Sequence, residues 1–352
     1  MPSKAHVKLS SVRISPAPLL GRRTFLAYGL SAGALWATRL RAEPRPLRVA
    51  FANVSERPGD LLEATGFTGA DVRESFKLAA RGYPVELALY DNARDNARAL
   101  RNVQDAVAHR VDVFIGYHAD GATNAEAARL LKSAGIPALA IHFPLPGCPL
   151  YTPDNAAAGR LAGEALGAFA LADWPERPIA AAAVGPVNAQ DWDVQARLDG
   201  IAQGLRASLP RLSLERLDTE GRPAAAAQLV ERFFAAHPGH KALFAALDDA
   251  TALAVKAAVE AGGRRADVAI VSHGCDRSVH GGLNDKKEIE PSNRNSILLG
   301  SVAFYLDRYG YDVLPLALRV AKGEPVPART ATAHKLITAA NVYVEYGPTD
   351  LS

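Results

Sequence analysis

The chain has 352 residues, 49% hydrophobic and 22% charged, with a formal net charge of +3 and two cysteines, Cys148 and Cys275. Two thiols are too few for a disulfide scaffold or a four-thiolate zinc site. Nor does the positive charge point to nucleic acid: residues 1–42 hold seven Lys and Arg and no acid, and the rest carries 33 basic against 37 acidic residues, a net charge of −4.

Arg22-Arg23-Thr24-Phe25-Leu26 opens a stretch without charge from Thr24 to Thr38. Paired arginines ahead of a short apolar core form the pattern of a twin-arginine export signal. Residues 1–42 are therefore expected to send the folded chain to the periplasm of a bacterium, with cleavage near Ala42. Leu40-Arg41-Ala42 is a poor small-x-small site, which leaves an uncleaved anchor as the alternative. The stretch is shorter than the roughly 20 apolar residues of a comfortable membrane span, and no second one follows. Gly29-Leu30-Ser31-Ala32-Gly33 fits the hydrolase pattern G-x-S-x-G, but no strand, turn and helix can be built inside a signal core.

The 310 residues after the leader exceed what one hydrophobic core usually organises, so two domains or lobes are expected. Short apolar runs alternate with amphipathic periodicity, the α/β signature of a mostly parallel sheet. The runs predict strands over 47–53, 85–90, 113–116, 138–142, 179–184, 213–218, 242–246 and 268–272. Spacing of three and four predicts helices over 69–80, 96–109, 122–133, 156–171, 195–208, 224–236 and 251–261. Lys132-Ser133-Ala134-Gly135-Ile136-Pro137 closes one such unit, glycine ending the helix and proline preventing its continuation. The polar run 276–295 reads as a loop, and 301–320 as a helix.

In an open parallel sheet, ligands sit beyond the carboxyl ends of the strands, where loops and helix N-termini converge. Residues following the predicted strands are polar or aromatic: Asn53 and Ser55, Asp91 and Asn92, Tyr117 and His118, His142 and Phe143, Asn188 to Asp193, Asp218, Asp248 and Asp249, and His273 to Asp276. Such a set suits a polar small molecule with aromatic cover on its apolar faces.

Asp91 to Ile115, above all Asn102-Val103-Gln104-Asp105, resembles the second strand, helix and third strand of periplasmic sugar-binding proteins related to ribose-binding protein. The resemblance continues through Ala134-Gly135-Ile136-Pro137, Asp154-Asn155, Gly159-Arg160-Leu161-Ala162-Gly163, Asp248-Asp249 and Lys322-Gly323-Glu324-Pro325-Val326-Pro327. It implies the type I periplasmic binding protein fold: α/β, with two similar lobes, each a mostly parallel sheet flanked by helices, joined by a three-stranded hinge. The N-terminal lobe would comprise 45–153 plus 305–333 and the C-terminal lobe 154–304 plus 334–345. A small-molecule ligand would bind in the cleft, and closure would present a surface to an ABC permease. No cofactor, no nucleic acid partner and a monomer are expected.

Carried over position by position, it implies a first-lobe wall including Asn53 and Phe67, with His142 and Phe143 where sugar binders often have Asp-Arg. Histidine and phenylalanine cannot reproduce that pair's bidentate grip. In the second lobe, Arg197 matches the second arginine of an Arg-x-Arg pattern whose first position is Gln195. Asp248 takes the place of a frequent ligand-binding Asn, Asp276 lies near a strand-end Asp, and Phe304 replaces a polar hinge residue. Trp192, flanked by Asp191 and Asp193 in an expected loop, is a further stacking candidate. Asp248 and Asp249 also precede a helix expected to start near Ala250, where an aspartate commonly caps the first turn.

The expected function is thus solute binding for an importer, with a carbohydrate or similar polyhydroxylated ligand and no catalysis. One alternative keeps the fold but docks the closed form on a membrane sensor kinase. Another is a metal carrier or enzyme built on His118, His142, His273, Cys275 and Asp276, all after predicted strands. Imidazole plus thiolate suits zinc or copper, yet no H-x-x-x-H or C-x-x-C spacing fixes two ligands on one element. No dinucleotide, P-loop or haem-attachment motif is present, and a helix-turn-helix regulator has no room beside the leader.

Overall fold

The computed structural model describes residues 45–189, 191–281 and 286–346; the leader lies outside them. The first sheet is built from β1 (Leu47–Asn53), β2 (Val85–Asp91), β3 (Val113–Gly116), β4 (Ala138–Ile141) and β5 (Leu150–Thr152), with α1 (Gly69–Ala80), α2 (Asn96–Ala108) and α3 (Gly121–Ser133) between them. Then come α4 (Asn155–Asp173), β6 (Ile179–Gly185), α5 (Trp192–Ser208), β7 (Leu214–Asp218), α6 (Ala226–Ala236), β8 (Lys241–Ala246), α7 (Asp249–Ala261), β9 (Val268–Gly274) and β10 (Leu298–Ala303). The chain ends with α8 (Tyr309–Ala321), β11 (Arg329–Ala331), β12 (Leu336–Ile337) and α9 (Val342–Glu345).

Strand order is β11-β5-β4-β3-β1-β2 in one sheet and β12-β10-β9-β8-β6-β7 in the other. Stripped of the late strands β11 and β12, both follow the doubly wound order 2-1-3-4-5, so the two lobes share one topology. Pairing is parallel throughout except between β10 and β12. The central strands are apolar runs because helices cover both sheet faces: β4, β8 and β9 are buried almost throughout.

The chain crosses between the sheets three times: β5 to α4, β10 to α8, and β11 to β12. His334 clasps all three crossings. Its Nε2 accepts from the Asp154 N–H at 3.0 Å and its Nδ1 donates to the Ala303 carbonyl at 2.9 Å. Burial lowers its pKa to about 4, which keeps the imidazole neutral and able to accept.

Two expectations are corrected. Ser301 to Val320 is not one helix but the end of β10, a turn through Tyr305 at φ 57°, and α8. Trp192 is not in a loop; it opens α5, capped by Asp191, whose side chain accepts from the Asp193 N–H.

Helices α4 and α5 pack closely because glycines face each other. A Cβ on Gly163 would stand 2.2 Å from the Ile201 carbonyl oxygen, and one on Gly200 2.2 Å from that of Ala156. This contact sets Asn155, the first residue of α4, beside Asp193 and Arg197 on α5.

Candidate functional site

The carboxyl ends of β1, β3 and β4 in the first lobe and of β6, β8 and β9 in the second bring their following residues together. The loop from β1 to α1, residues 54–68, enters this space as a small hairpin. Leu61 and Thr68 form an antiparallel bridge, the Leu62 N–H donates to the Phe67 carbonyl at 2.9 Å, and residues 63–66 make the tip. Asn53, fully buried at the end of β1, donates through Nδ2 to the Gly69 carbonyl at 2.8 Å and so ties the loop's two ends. Phe67 is buried in the core below the tip.

Glu63 carries the first-lobe side of the arrangement. Its side chain is 1% exposed; the Tyr117 hydroxyl donates to Oε1 at 2.7 Å and the Tyr309 hydroxyl to Oε2 at 2.6 Å. Burial and this carboxylate hold both phenols well above the ordinary tyrosine range, so they remain donors. His142, just after β4, stands with Nδ1 3.8 Å from Glu63 Oε1 and Nε2 2.9 Å from Asp193 Oδ2. Burial acts to lower its pKa, but the carboxylates of Glu63, Asp193 and Asp191 outweigh that and the net displacement is upward. Phe143 packs edge-on to the His142 ring at 4.3 Å, and Trp192, 56% exposed, lies near-parallel to it at 6.3 Å.

Arg197 carries the second-lobe side. It is fully buried, and Nε and Nη2 donate to Asn155 Oδ1 at 3.0 and 2.8 Å. Nη1 donates to the carbonyls of Leu247 at 2.7 Å and Ala64 at 3.1 Å, and Nη2 also to that of Glu63 at 3.0 Å. Phe304, fully buried in the hinge, lies 4.3 Å beneath the guanidinium. Burial lowers the Arg197 pKa to about 10, still far above neutral. Asn155 Nδ2 donates to Asp193 Oδ1 at 2.8 Å, so one buried chain of contacts runs from His142 through Asp193 and Asn155 to Arg197. The His142 imidazole and the Arg197 guanidinium are thus both set against the Glu63 and Asp193 side of this cluster.

The remaining expected residues take other places. Asp248 caps α7, accepting from the Thr251 N–H at 2.7 Å and its hydroxyl at 2.8 Å. Asp249 does not cap. It is buried, accepting from the hydroxyls of Ser272 and Ser301 at 2.5 and 2.7 Å and from the Asp276 N–H at 2.8 Å. Asp276 presses against the hairpin tip: a Cβ on Gly66 would stand 1.6 Å from its Oδ2. Gln195 turns from Arg197 toward the loop before α5, donating to the Val187 and Ala189 carbonyls at 3.3 and 3.1 Å. With Asn188, Asp191, Trp192 and Arg216 it lines a shallow cavity of about 570 Å³.

The histidines do not converge on a metal. His118 bonds Asn96 Oδ1 at 2.9 Å, His142 bonds Asp193, and His273 Nδ1 donates to the Ala246 carbonyl at 2.8 Å. Among the described residues no group of three or more His, Cys, Asp or Glu is placed to hold a metal ion. Both cysteines are free. Glu63, Asn155 and Tyr309 are site residues that sequence reasoning did not select. Asn155 alone left a signal, as the residue after a capping aspartate at the start of a glycine-spaced helix.

A family profile described as a periplasmic binding protein domain matches residues 64–325. No curated protein matches the chain in sequence. Among solved structures, a sugar ABC transporter sugar-binding protein from Bacillus halodurans superposes with a TM-score of 0.65 at 16% identity, covering 85% of this chain and 100% of its own. An arabinose-binding protein from Geobacillus stearothermophilus gives 0.64 at 13%, covering 86% and 100%. An ABC transporter solute-binding protein from Mycobacterium smegmatis with bound glycerol gives 0.62 at 18%, covering 86% and 98%. At these identities the likeness is one of fold.

Proposed function

The chain belongs to the periplasmic binding protein family, and from that premise we propose that it is the solute-binding component of an ATP-driven importer, taking a sugar or a similarly sized polyhydroxylated molecule between its lobes. The observation that carries this reading is the pair of buried donor groups on opposite lobes that face one space: the Tyr117 and Tyr309 hydroxyls on one side and the Arg197 guanidinium on the other. Donors aimed inward from both walls match a ligand rich in oxygen acceptors, and such hydrogen bonds strengthen once closure shields them from water. The structural relatives named for sugars, arabinose or bound glycerol support the same class of ligand.

On this reading the lobes are 45–153 with 305–333 and 154–304 with 334–345. The leader is a twin-arginine signal, the chain works as a monomer in the periplasm, and the closed form docks on an inner-membrane permease. Among the described residues no helix is long and apolar enough to cross a membrane. Asn53, Phe67, Phe143 and Phe304 shape the walls; His142, Arg197, Asp276 and Trp192 are the groups nearest the cleft, with Gln195 and Asp248 holding the loop before α5 and the start of α7. The chemistry is reversible binding.

A thermal-shift panel of monosaccharides, polyols, amino acids and divalent metals tests this. At about 100 times its dissociation constant a ligand stabilises by about 2.7 kcal/mol. A sugar or polyol shift is expected; a response to zinc or copper alone would replace this reading.

A further inference from the structure

We propose that the hairpin tip Glu63–Gly66 is a tethered occupant of the ligand cleft, holding the two lobes closed from within until an external ligand displaces it. The inference rests on the cleft being the ligand site, as proposed above, and goes beyond it by naming a segment of the chain that makes that site's contacts.

The tip touches both lobes through groups that a ligand would use. On the first-lobe side the Glu63 carboxylate accepts from Tyr117 and Tyr309 and faces His142. On the second-lobe side the Glu63 and Ala64 carbonyls accept from Arg197, and Gly66 abuts the Asp276 carboxylate, which a methyl group there would displace. In each of the four hydrogen bonds the wall donates and the tip accepts, which is how the oxygens of a bound sugar or sugar acid would be held. The ligand that replaces the tip must therefore present oxygen acceptors to Arg197 and to the two phenols.

The loop's construction fits the role. Residues 54–68 form a connection of fifteen residues where β-to-α turns usually need about 2–6. The bridge between Leu61 and Thr68 makes the tip a unit that can leave as one piece. Glu63 and Ala64 both adopt left-handed backbone, φ 54° and 50°. Such strain persists only where surrounding contacts over-determine it, and those contacts come from both lobes.

Because an occupant supplied by the chain needs no added ligand, the test is small-angle scattering of the ligand-free protein, alone and as Gly66→Ala and Glu63→Ala. The wild-type curve is expected to match the closed shape. Gly66→Ala, whose new methyl must displace the Asp276 carboxylate, and Glu63→Ala, which removes two of the four acceptors, are expected to give a larger radius of gyration and a changed Trp192 emission. A ligand-free wild type that scatters as an open particle overturns the proposal whatever the variants do, and if one variant fails to fold the other decides. Folded variants as compact as the wild type overturn it as well. The scattering result does not depend on any sugar binding, so it stands or falls apart from the thermal-shift outcome.

Discussion

His142 joins the lobes through a buried ion pair whose strength depends on its proton. The groups facing it are Glu63 from the β1–α1 loop, Tyr117 after β3, and Asp191 to Asp193 at the start of α5. Its folded pKa is raised above the ordinary 6.5. The pair's contribution is thus fully present below pH 6.5 and lost as pH rises through the raised value. Urea unfolding is expected to show stability falling with pH above this point, with a slope approaching about 1.4 kcal/mol per pH unit. His142→Gln should flatten that slope. His273, His280 and His334 are pushed down to about 3, 4 and 4 and do not titrate in this window. A slope unchanged in His142→Gln would remove the latch. Little of this was readable from sequence. Glu63 looks like any loop acid after Asp60-Leu61-Leu62, and only its insertion between Tyr117 and Tyr309 buries it.

The helices α4 and α5 show how the packing of two elements positions a site. Glycines recur every fourth residue at Gly159, Gly163 and Gly167 and at Gly200 and Gly204, and they let the two backbones approach until carbonyls stand where side chains would be. Asn155, Asp193 and Arg197 ride on that contact. Gly200→Ala gains about 1 kcal/mol of helix propensity but forces the pair apart, an overpacking cost of about 1–3 kcal/mol, so a net loss of stability is expected in denaturant melts. A gain would show that the helices have slack. Most elements were legible because their signals are local. Strands buried on both faces read as apolar runs, and aspartates cap α2, α3, α4, α5 and α7. The hinge strands β5, β11 and β12 were not legible, being two or three residues long and defined by pairing with distant chain. Reading 301–320 as one helix failed because Tyr305 turns the chain without a glycine or proline to mark it.

At the scale of the molecule, two lobes of one topology meet at their strand ends, joined by three crossings that His334 clasps. The chain order explains why the site's membership escaped sequence reasoning. Tyr309 belongs to a helix that returns to the first lobe only after β6 to β10 of the second, so no spacing links it to Tyr117 or Glu63. A ligand shifts such a system only by binding the closed form better than the open one, and a seated hairpin tip competes for the same contacts. Calorimetric titration of D-arabinose, D-galactose, D-glucose and glycerol into the wild type, Gly66→Ala and Arg197→Met tests this most directly. Saturable binding of at least one of them at one site is predicted, tighter in Gly66→Ala than in the wild type and lost in Arg197→Met. Absence of binding in both the wild type and Gly66→Ala, or binding that Arg197→Met leaves intact, would contradict a sugar site between these lobes.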